Sequence, residues 1–421
     1  MKTWKKVSLI SLTLVGAIGL VACGNSASGS KNTQTKTLTV GYWKGSDTEN
    51  TTFDKLVKNF EKENKVNVKP KVYTDITTQL PTDLSGGTAP DVFYIDSSFY
   101  PYLQKEGVLN DLSKVVNKDD FYSSIAKAFE SDGKIYAAPK DVSTLAIYVN
   151  KDIFAKAGID VNSIPKSYEE FIKWAPSAQA KIDAAYGKGK VYLMNMNADL
   201  TRNWQFITAD GQNPITKAGK ADLSNPTILK NLGTVVDMFN TGAVATPQQV
   251  GVGDEGAGFG NEKFAMALTG NWNFQVFNTQ YKDLHYTIIP NLTYQGKEMT
   301  MQYTVGWGEY KDTKAKSLAD KWIQYVTGED GMSTWTNGVG TLATRPDVAD
   351  SSTFLKANPL LQVHQDSIKF ATPWQDGTNL TTLVSSYGNF IPNVFKKGAT
   401  AADLKAAMKQ ADQNANSKIS K

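Results

Sequence analysis

Three strand-like runs open the chain beyond its first 36 residues, Thr37-Leu38-Thr39-Val40-Gly41-Tyr42-Trp43, Val66-Asn67-Val68-Lys69-Pro70-Lys71-Val72-Tyr73 and Asp91-Val92-Phe93-Tyr94-Ile95-Asp96, and what separates them decides the fold. Between the first two, Phe53, Leu56, Val57 and Phe60 fall at i, i+3, i+4 and i+7, the apolar stripe of an amphipathic helix. The second run alternates apolar and polar residues, as a strand does. A helical segment over residues 76–84 follows, closed by Gly86-Gly87, and leads into the short apolar run 91–96. Strand, helix, strand, helix, strand predicts an α/β fold with a parallel sheet and helical crossovers. Ligands bind such sheets at the carboxyl ends of the strands. That rule puts residues 43–47 and 96–100 at a candidate site. Asp96 also suits an N-cap for a helix from Ser97 onward, and the two roles are compatible.

The N-terminus has the three parts of an export signal: Lys2, Lys5 and Lys6, an apolar stretch over residues 7–22, and small residues at its end. That stretch falls short of the roughly 20 apolar residues of a membrane-spanning helix. Cys23, the only cysteine, follows Leu20-Val21-Ala22 and precedes Gly24. This setting resembles the lipobox of bacterial lipoproteins, which implies cleavage before Cys23 and its lipidation. Two or three acyl chains anchor a protein stably where one does not. Residues 24–36 (GNSASGSKNTQTK) then read as a flexible tether.

Composition excludes several functions. The mature chain holds no other thiol, so neither disulfides nor thiol catalysis contribute. Its 45 basic residues, less the three signal lysines, nearly balance 41 acidic ones, which leaves no field to attract nucleic acid. Only Arg202 and Arg345 are arginine, which disfavours bidentate recognition of a strongly anionic ligand. His285 and His364 are far apart in sequence and read as ordinary surface or core residues, so no metal or other cofactor is expected. No Gly-x-x-x-x-Gly-Lys-Ser/Thr loop is present. Tryptophan and tyrosine are plentiful, and aromatic planes with a few carboxylates and amides suit a neutral polyhydroxylated ligand. About 385 residues beyond the tether predict two lobes rather than one core.

Four further blocks carry a resemblance. They are Gly86-Gly87-Thr88-Ala89-Pro90-Asp91-Val92; Asp132-Gly133-Lys134-Ile135-Tyr136-Ala137-Ala138-Pro139 leading through Tyr148-Val149-Asn150-Lys151-Asp152 to Ala157-Gly158; Phe264-Ala265-Met266-Ala267-Leu268-Thr269-Gly270-Asn271-Trp272; and the late helical segment 317–327 with residues 340–345. Ser167 and Glu170 add a capping box after Pro165. In this order the blocks resemble the family 1 extracellular solute-binding proteins of carbohydrate ABC importers, the maltose-binding-protein-like group. Residues 177–247 carry no diagnostic letters.

The resemblance implies a two-lobed periplasmic-binding-protein fold (type II, Venus-flytrap) hinged by crossing segments. Its parts would be a signal peptide (1–22), a lipidated tether (23–36), an N-terminal lobe (37–141 plus 302–347) and a C-terminal lobe (142–301 plus 348–421). Crossings are expected near residues 141–143, 291–303 and 347–352. Carried over residue by residue, it puts Trp43, Lys44, Asp47, Asp96 and Asp141 on the cleft of one lobe and the aromatic plate Trp272 on the other. Asn271, Trp307, Trp204, Trp374 and Tyr387 follow as further liners, while Trp322 and Trp335 are assigned to the core. Tyr94-Ile95-Asp96-Ser97 lacks the arginine that follows the carboxylate in the maltose-binding pattern, which leaves the sugar itself open.

The function so implied is not enzymatic. A monomeric receptor on the outer face of the cell membrane, of Gram-positive type, would capture a di- or oligosaccharide, maltodextrin-type foremost, and deliver it to permease subunits served by a separate ATPase. The alternatives are a peptide or polyamine binder, a surface glycoside hydrolase using Asp47, Asp96 or Asp141, and an adhesin. The last helical pattern, with Phe395, Leu404 and Met408, ends the fold, and the polar residues 410–421 are expected to fray.

Overall fold

The computed structural model describes residues 36–419, and the first of these form the unit that the periodicity predicts. Strand β1 (Thr37–Tyr42) lies between β2 (Asn67–Val72) and β3 (Val92–Asp96), parallel to both. Helix α1 (Asp47–Asn64) crosses between β1 and β2 and buries Phe53, Leu56, Val57 and Phe60, the four residues of the apolar stripe. Helix α2 (Ile76–Ser85) makes the second crossover. The export signal and Cys23 lie outside the described residues.

The main sheet continues with β4 (Ala137–Asn150), β5 (Tyr192–Asn195), β6 (Val244–Ala245), β7 (Phe264–Gly270), β8 (Tyr286–Ile289), β9 (Met301–Glu309) and β10 (Thr372–Pro373). Its order is β2-β1-β3-β9-β4-β7-β5-β6, with β8 paired to β4 and β10 to β9. Each end of the sheet is parallel, β1 to β3 at one end and β5 to β7 at the other. Antiparallel β4 and β9 join the two ends.

Strand β4 has 14 residues, an extended reach on the order of 45 Å. Its early residues belong to one hydrophobic core, with Leu38, Phe53, Phe60, Phe93 and Trp322. Leu145, Ile147 and Val149 belong to a second, with Phe171, Leu193 and Met266. The residues between them alternate. Val142, Ala146 and Tyr148 face a third, smaller cluster with Phe259, Phe277 and Ile368, whereas Asp141 and Ser143 stay half-exposed on the other face.

One histidine locks this middle segment. His364 is fully buried, and its Nδ1 lies 3.0 Å from the Thr144 carbonyl oxygen, which can only accept. Nδ1 therefore carries the proton, and Nε2 accepts from the Tyr148 hydroxyl at 3.1 Å. Burial pushes the imidazole from 6.5 down to about 3.

The C-terminus departs from expectation. The last helix runs over Ala401–Lys418, headed by a capping box of Thr400 and Asp403. Residues beyond 410 are docked rather than frayed: Ala411 and Ala415 are buried, and the Asp412 carboxylate accepts from the backbone N–H groups of Leu223 and Ser224 at 2.6 and 2.9 Å. The polar letters that suggested fraying are the outer face of this helix and its anchoring side chains.

The buried neutral His364 makes a testable contribution to stability. Below about pH 6.5 the unfolded chain takes up a proton that the folded protein refuses until about pH 3, so acidification favours unfolding by about 1.4 kcal/mol per unit over that window. Denaturant melts at pH 7.5 and 5 are expected to show the wild type losing about 2 kcal/mol more than His364→Gln.

Candidate functional site

The register of β3, β9 and β4 sets Asp96, Val305 and Asp141 abreast, each opposite the next. Opposed residues point to the same face of a sheet, so the two carboxylates flank Val305, their strands about 10 Å apart. Tyr303 and Ser143 continue that half-exposed face, while Thr304, Val142 and Thr144 are buried beneath it. Asp96 ends its strand in a local turn: one carboxylate oxygen accepts the Ser98 N–H at 2.8 Å and the Ser98 hydroxyl. It does not cap a helix. The helix Tyr100–Lys105 starts later and has no side-chain cap. Burial raises the Asp96 carboxyl above its usual range, with Asp141 adding to the rise against the Ser98 hydrogen bonds.

Between Val305 and Gly306 the β4–β9 register slips by one residue, and the residue without a partner is Lys140. Such a bulge re-aims a side chain. The Lys140 side chain is only 6% exposed and pairs with the Asp141 carboxylate. Its ammonium sits 3.9 Å from the Trp335 ring centroid and 4.7 Å from that of Tyr94. Trp335 Nε1 donates to the same Asp141 oxygen at 3.1 Å. Trp335 ends the helix Glu329–Trp335, just before a π-helical turn over Thr336–Gly340, the kind of irregularity that often marks functional positions. Trp43 adds its edge to Tyr94 at 5.0 Å, and Glu49 lines the same aromatic corner.

Beyond Tyr303 lies an exposed indole. Trp272 begins the helix Trp272–Gln280 directly after β7 and is 37% exposed. Its ring folds back over Gly270, where a Cβ would stand 1.9 Å from a ring carbon, so any larger residue there would displace the indole. The Arg202 guanidinium lies 5.0 Å from the ring centroid and Tyr303 packs edge-on at 5.7 Å. Arg202 is itself fixed, donating through Nε and Nη2 to one oxygen of Glu255 at 3.0 and 2.8 Å and through Nη1 to the Tyr303 hydroxyl at 2.7 Å. Burial pushes the Glu255 carboxyl up, but Arg202 and Asn197 outweigh it and hold the group below its usual range.

Two parallel half-sheets, two cores, and an acidic floor beside an exposed aromatic plate are thus in view, and residues 55–363 match the family model of the bacterial extracellular solute-binding protein. The chain belongs to that family. Among the relatives of this solute-binding protein, the multiple sugar-binding protein of Streptococcus mutans is 24% identical over 356 residues, 79% of this chain and 80% of that one. The maltodextrin-binding protein of Bacillus subtilis is 26% identical over 323 residues, 74% of each. Among solved structures, the sugar-binding protein MalE from Xanthomonas citri superposes with a TM-score of 0.76 at 18% identity, covering 90% of this chain and 97% of its own. That likeness is one of fold: the two-lobed α/β fold of periplasmic binding proteins.

Of the residues singled out from sequence, the structure brings Asp96, Asp141 and Trp43 to one side of the Tyr303 face and Trp272 to the other. Lys44 and Asp47 stand exposed at the head of α1. Several proposed liners are corrected. Trp307 is buried against Tyr94, Phe53 and Trp322 in the first core: it shares its face of β9 with Val305, but the helices that carry Phe53 and Trp322 cover it. Tyr387 is buried in the second core, its hydroxyl donating to Asn203 at 2.8 Å. Asn271 is buried and accepts the Thr144 N–H at 3.1 Å, so it pins β4. Trp204 and Trp374 form a buried edge-to-face pair at 4.9 Å, and Trp204 Nε1 is spent on the Pro373 carbonyl at 2.9 Å.

Sequence reasoning missed Lys140, Glu49, Arg202, Glu255 and Tyr303; Trp335 is in the first core as assigned, and what the sequence did not show is its indole N–H on the Asp141 carboxylate. One signal was available for Trp335: Gly338 and Gly340 stop the helical pattern just after it. The scarcity of arginine was another, because a chain with two arginines spends them where lysine cannot serve.

Arg202 and Glu255 are both largely buried, with side chains 16% and 3% exposed. Removing one partner strands the other charge, so Arg202→Ala is expected to cost about 3 kcal/mol or more. In a double-mutant cycle, adding Glu255→Ala is expected to recover part of that loss, read by urea denaturation.

Proposed function

We propose that this protein is the substrate receptor of a carbohydrate ABC importer and captures a di- or oligosaccharide, maltodextrin-type foremost, between the Asp96–Asp141 floor and the Trp272 plate. The observation that carries the reading is Trp272 itself: a large indole left exposed yet held rigid by Gly270, Arg202 and Tyr303. Exposing such a surface costs stability, and the apolar face of a pyranose ring is a natural cover for it. Carboxylates accept adjacent sugar hydroxyls in pairs. The names of the relatives, a multiple sugar-binding and a maltodextrin-binding protein, support the same ligand class.

In this reading the lobes are residues 37–141 plus 302–347 and 142–301 plus 348–421, and they close on the sugar about the crossing strands. Closure follows only from the ligand's better contacts with the closed state. Cys23 carries the lipid that holds the receptor at the membrane surface, beside the permease. Cys23→Ala is then expected to appear in the culture medium instead of the membrane fraction.

A polyamine is the runner-up ligand, because paired acids near aromatic rings also suit cations. Lys140 weighs against it: the protein already provides a cation at that corner. A glycoside hydrolase would release new reducing ends from malto-oligosaccharides, and none are expected. Titration calorimetry over a panel of malto-oligosaccharides is expected to find micromolar binding, about 8 kcal/mol. Trp272→Ala and Asp96→Ala are each expected to weaken it by about 2 kcal/mol or more. Unchanged affinity in both variants would rule the cleft assignment out.

A further inference from the structure

We propose that Lys140 is a specificity-determining residue: a tethered counter-cation that occupies the aromatic, acidic corner of the site and so excludes cationic ligands from Asp141. The inference rests on the cleft reading above and deepens it.

Four observations meet at this side chain. It is the unpaired residue of the β4–β9 bulge, so its direction is set by a break in the ladder rather than by the ordinary alternation. Burying a lysine to 6% exposure is costly unless the ammonium is satisfied, and here Asp141 pairs with it. The Trp335 and Tyr94 rings, 3.9 and 4.7 Å away, add their electron-rich faces. The aromatic corner next to it, walled by Trp43, Tyr94 and Trp335, retains only about 10 Å³, room for about one water molecule. Aromatic walls around a carboxylate are the recognition chemistry of alkylammonium ligands. In this chain the lysine takes that place itself.

The consequence is a charge filter. A sugar hydroxyl approaching the free side of Asp141 meets a carboxylate whose charge is locally balanced, and a neutral donor can still hydrogen-bond to it. A protonated amine approaching the same oxygen meets a fixed ammonium directly behind it, and like charges at such range repel strongly in a partly buried setting. Asp141 thus serves hydroxyl recognition without drawing in polyamines or other organic cations, although the body of the protein has a near-neutral balance.

The test compares wild type with Lys140→Met, which keeps the length of the side chain and removes the charge, and with Lys140→Gln, which keeps a polar end. Spermidine is the cationic probe and maltotriose the neutral one, both followed by calorimetry and by the shift in melting temperature. The wild type is expected to ignore spermidine, and at least one folded neutral variant to bind it at least tenfold more tightly than wild type does. Adding Asp141→Asn to that variant is expected to remove the gain. Spermidine binding by the wild type, or neutral variants that melt cooperatively and still ignore it, overturns the proposal. If maltotriose and its relatives fail to bind the wild type while Lys140→Met gains spermidine, the carbohydrate reading falls and the charge filter stands.

Discussion

The ladder between β4 and β9 is the constraint on which the rest of the structure depends. It is where the two half-sheets become one, and its hydrogen bonds set both cores in register through a single pair of antiparallel strands. The same ladder fixes the site. Asp141 and Val305 are opposed because the register makes them so, and Asp96 joins them because β3 lies on the other side of β9. One residue of slip, the bulge at Lys140, separates a plain sheet from a site with its own counter-charge.

Polar chemistry is concentrated around this crossing, and several buried groups tie its strands to their neighbours. His364 holds the underside of β4 at Thr144 and Tyr148. Asn271 holds the same strand from β7. Ser97 donates to the Trp374 carbonyl at 3.2 Å, and Gln375 donates to the carbonyls of Ser97 and Ala128 at 2.7 and 2.9 Å, so the segment around β10 ties back to the β3 side. Each of these bonds is modest alone, but a buried donor or acceptor left without its partner costs more than the bond contributes. The crossing is therefore specified in direction as well as held together. Against this background the half-exposed Asp141 and the exposed Trp272 indole stand out.

The fold was legible in the sequence to the extent that it rests on periodicity. Phe53, Leu56, Val57 and Phe60 repeat at helical spacing, and all four are buried. Asp91 to Asp96 reads as a covered strand because its residues are apolar, and it lies inside the sheet. The candidate site was legible only in part, because a tryptophan in a sequence carries no sign of which way it faces. Trp307 shares its face of β9 with Tyr303 and Val305, yet Phe53 and Trp322 from the covering helices put it in the core while the other two are half-exposed. Bulges depend on tertiary packing, so Lys140 could not be read from local pattern, and for Trp335 the glycines after it mark a helix stop without revealing the contact with Asp141. Ion pairs between residues 53 positions apart, such as Arg202 with Glu255, escape such reading for the same reason.

The central claim is that a sugar draws the Trp272 wall toward the Asp96–Asp141 floor about the β4–β9 crossing. Small-angle X-ray scattering, with and without a saturating concentration of the tightest-binding malto-oligosaccharide, tests it most directly. The account predicts a smaller radius of gyration and a shorter maximum dimension in the complex. Curves that superimpose at full occupancy would contradict it.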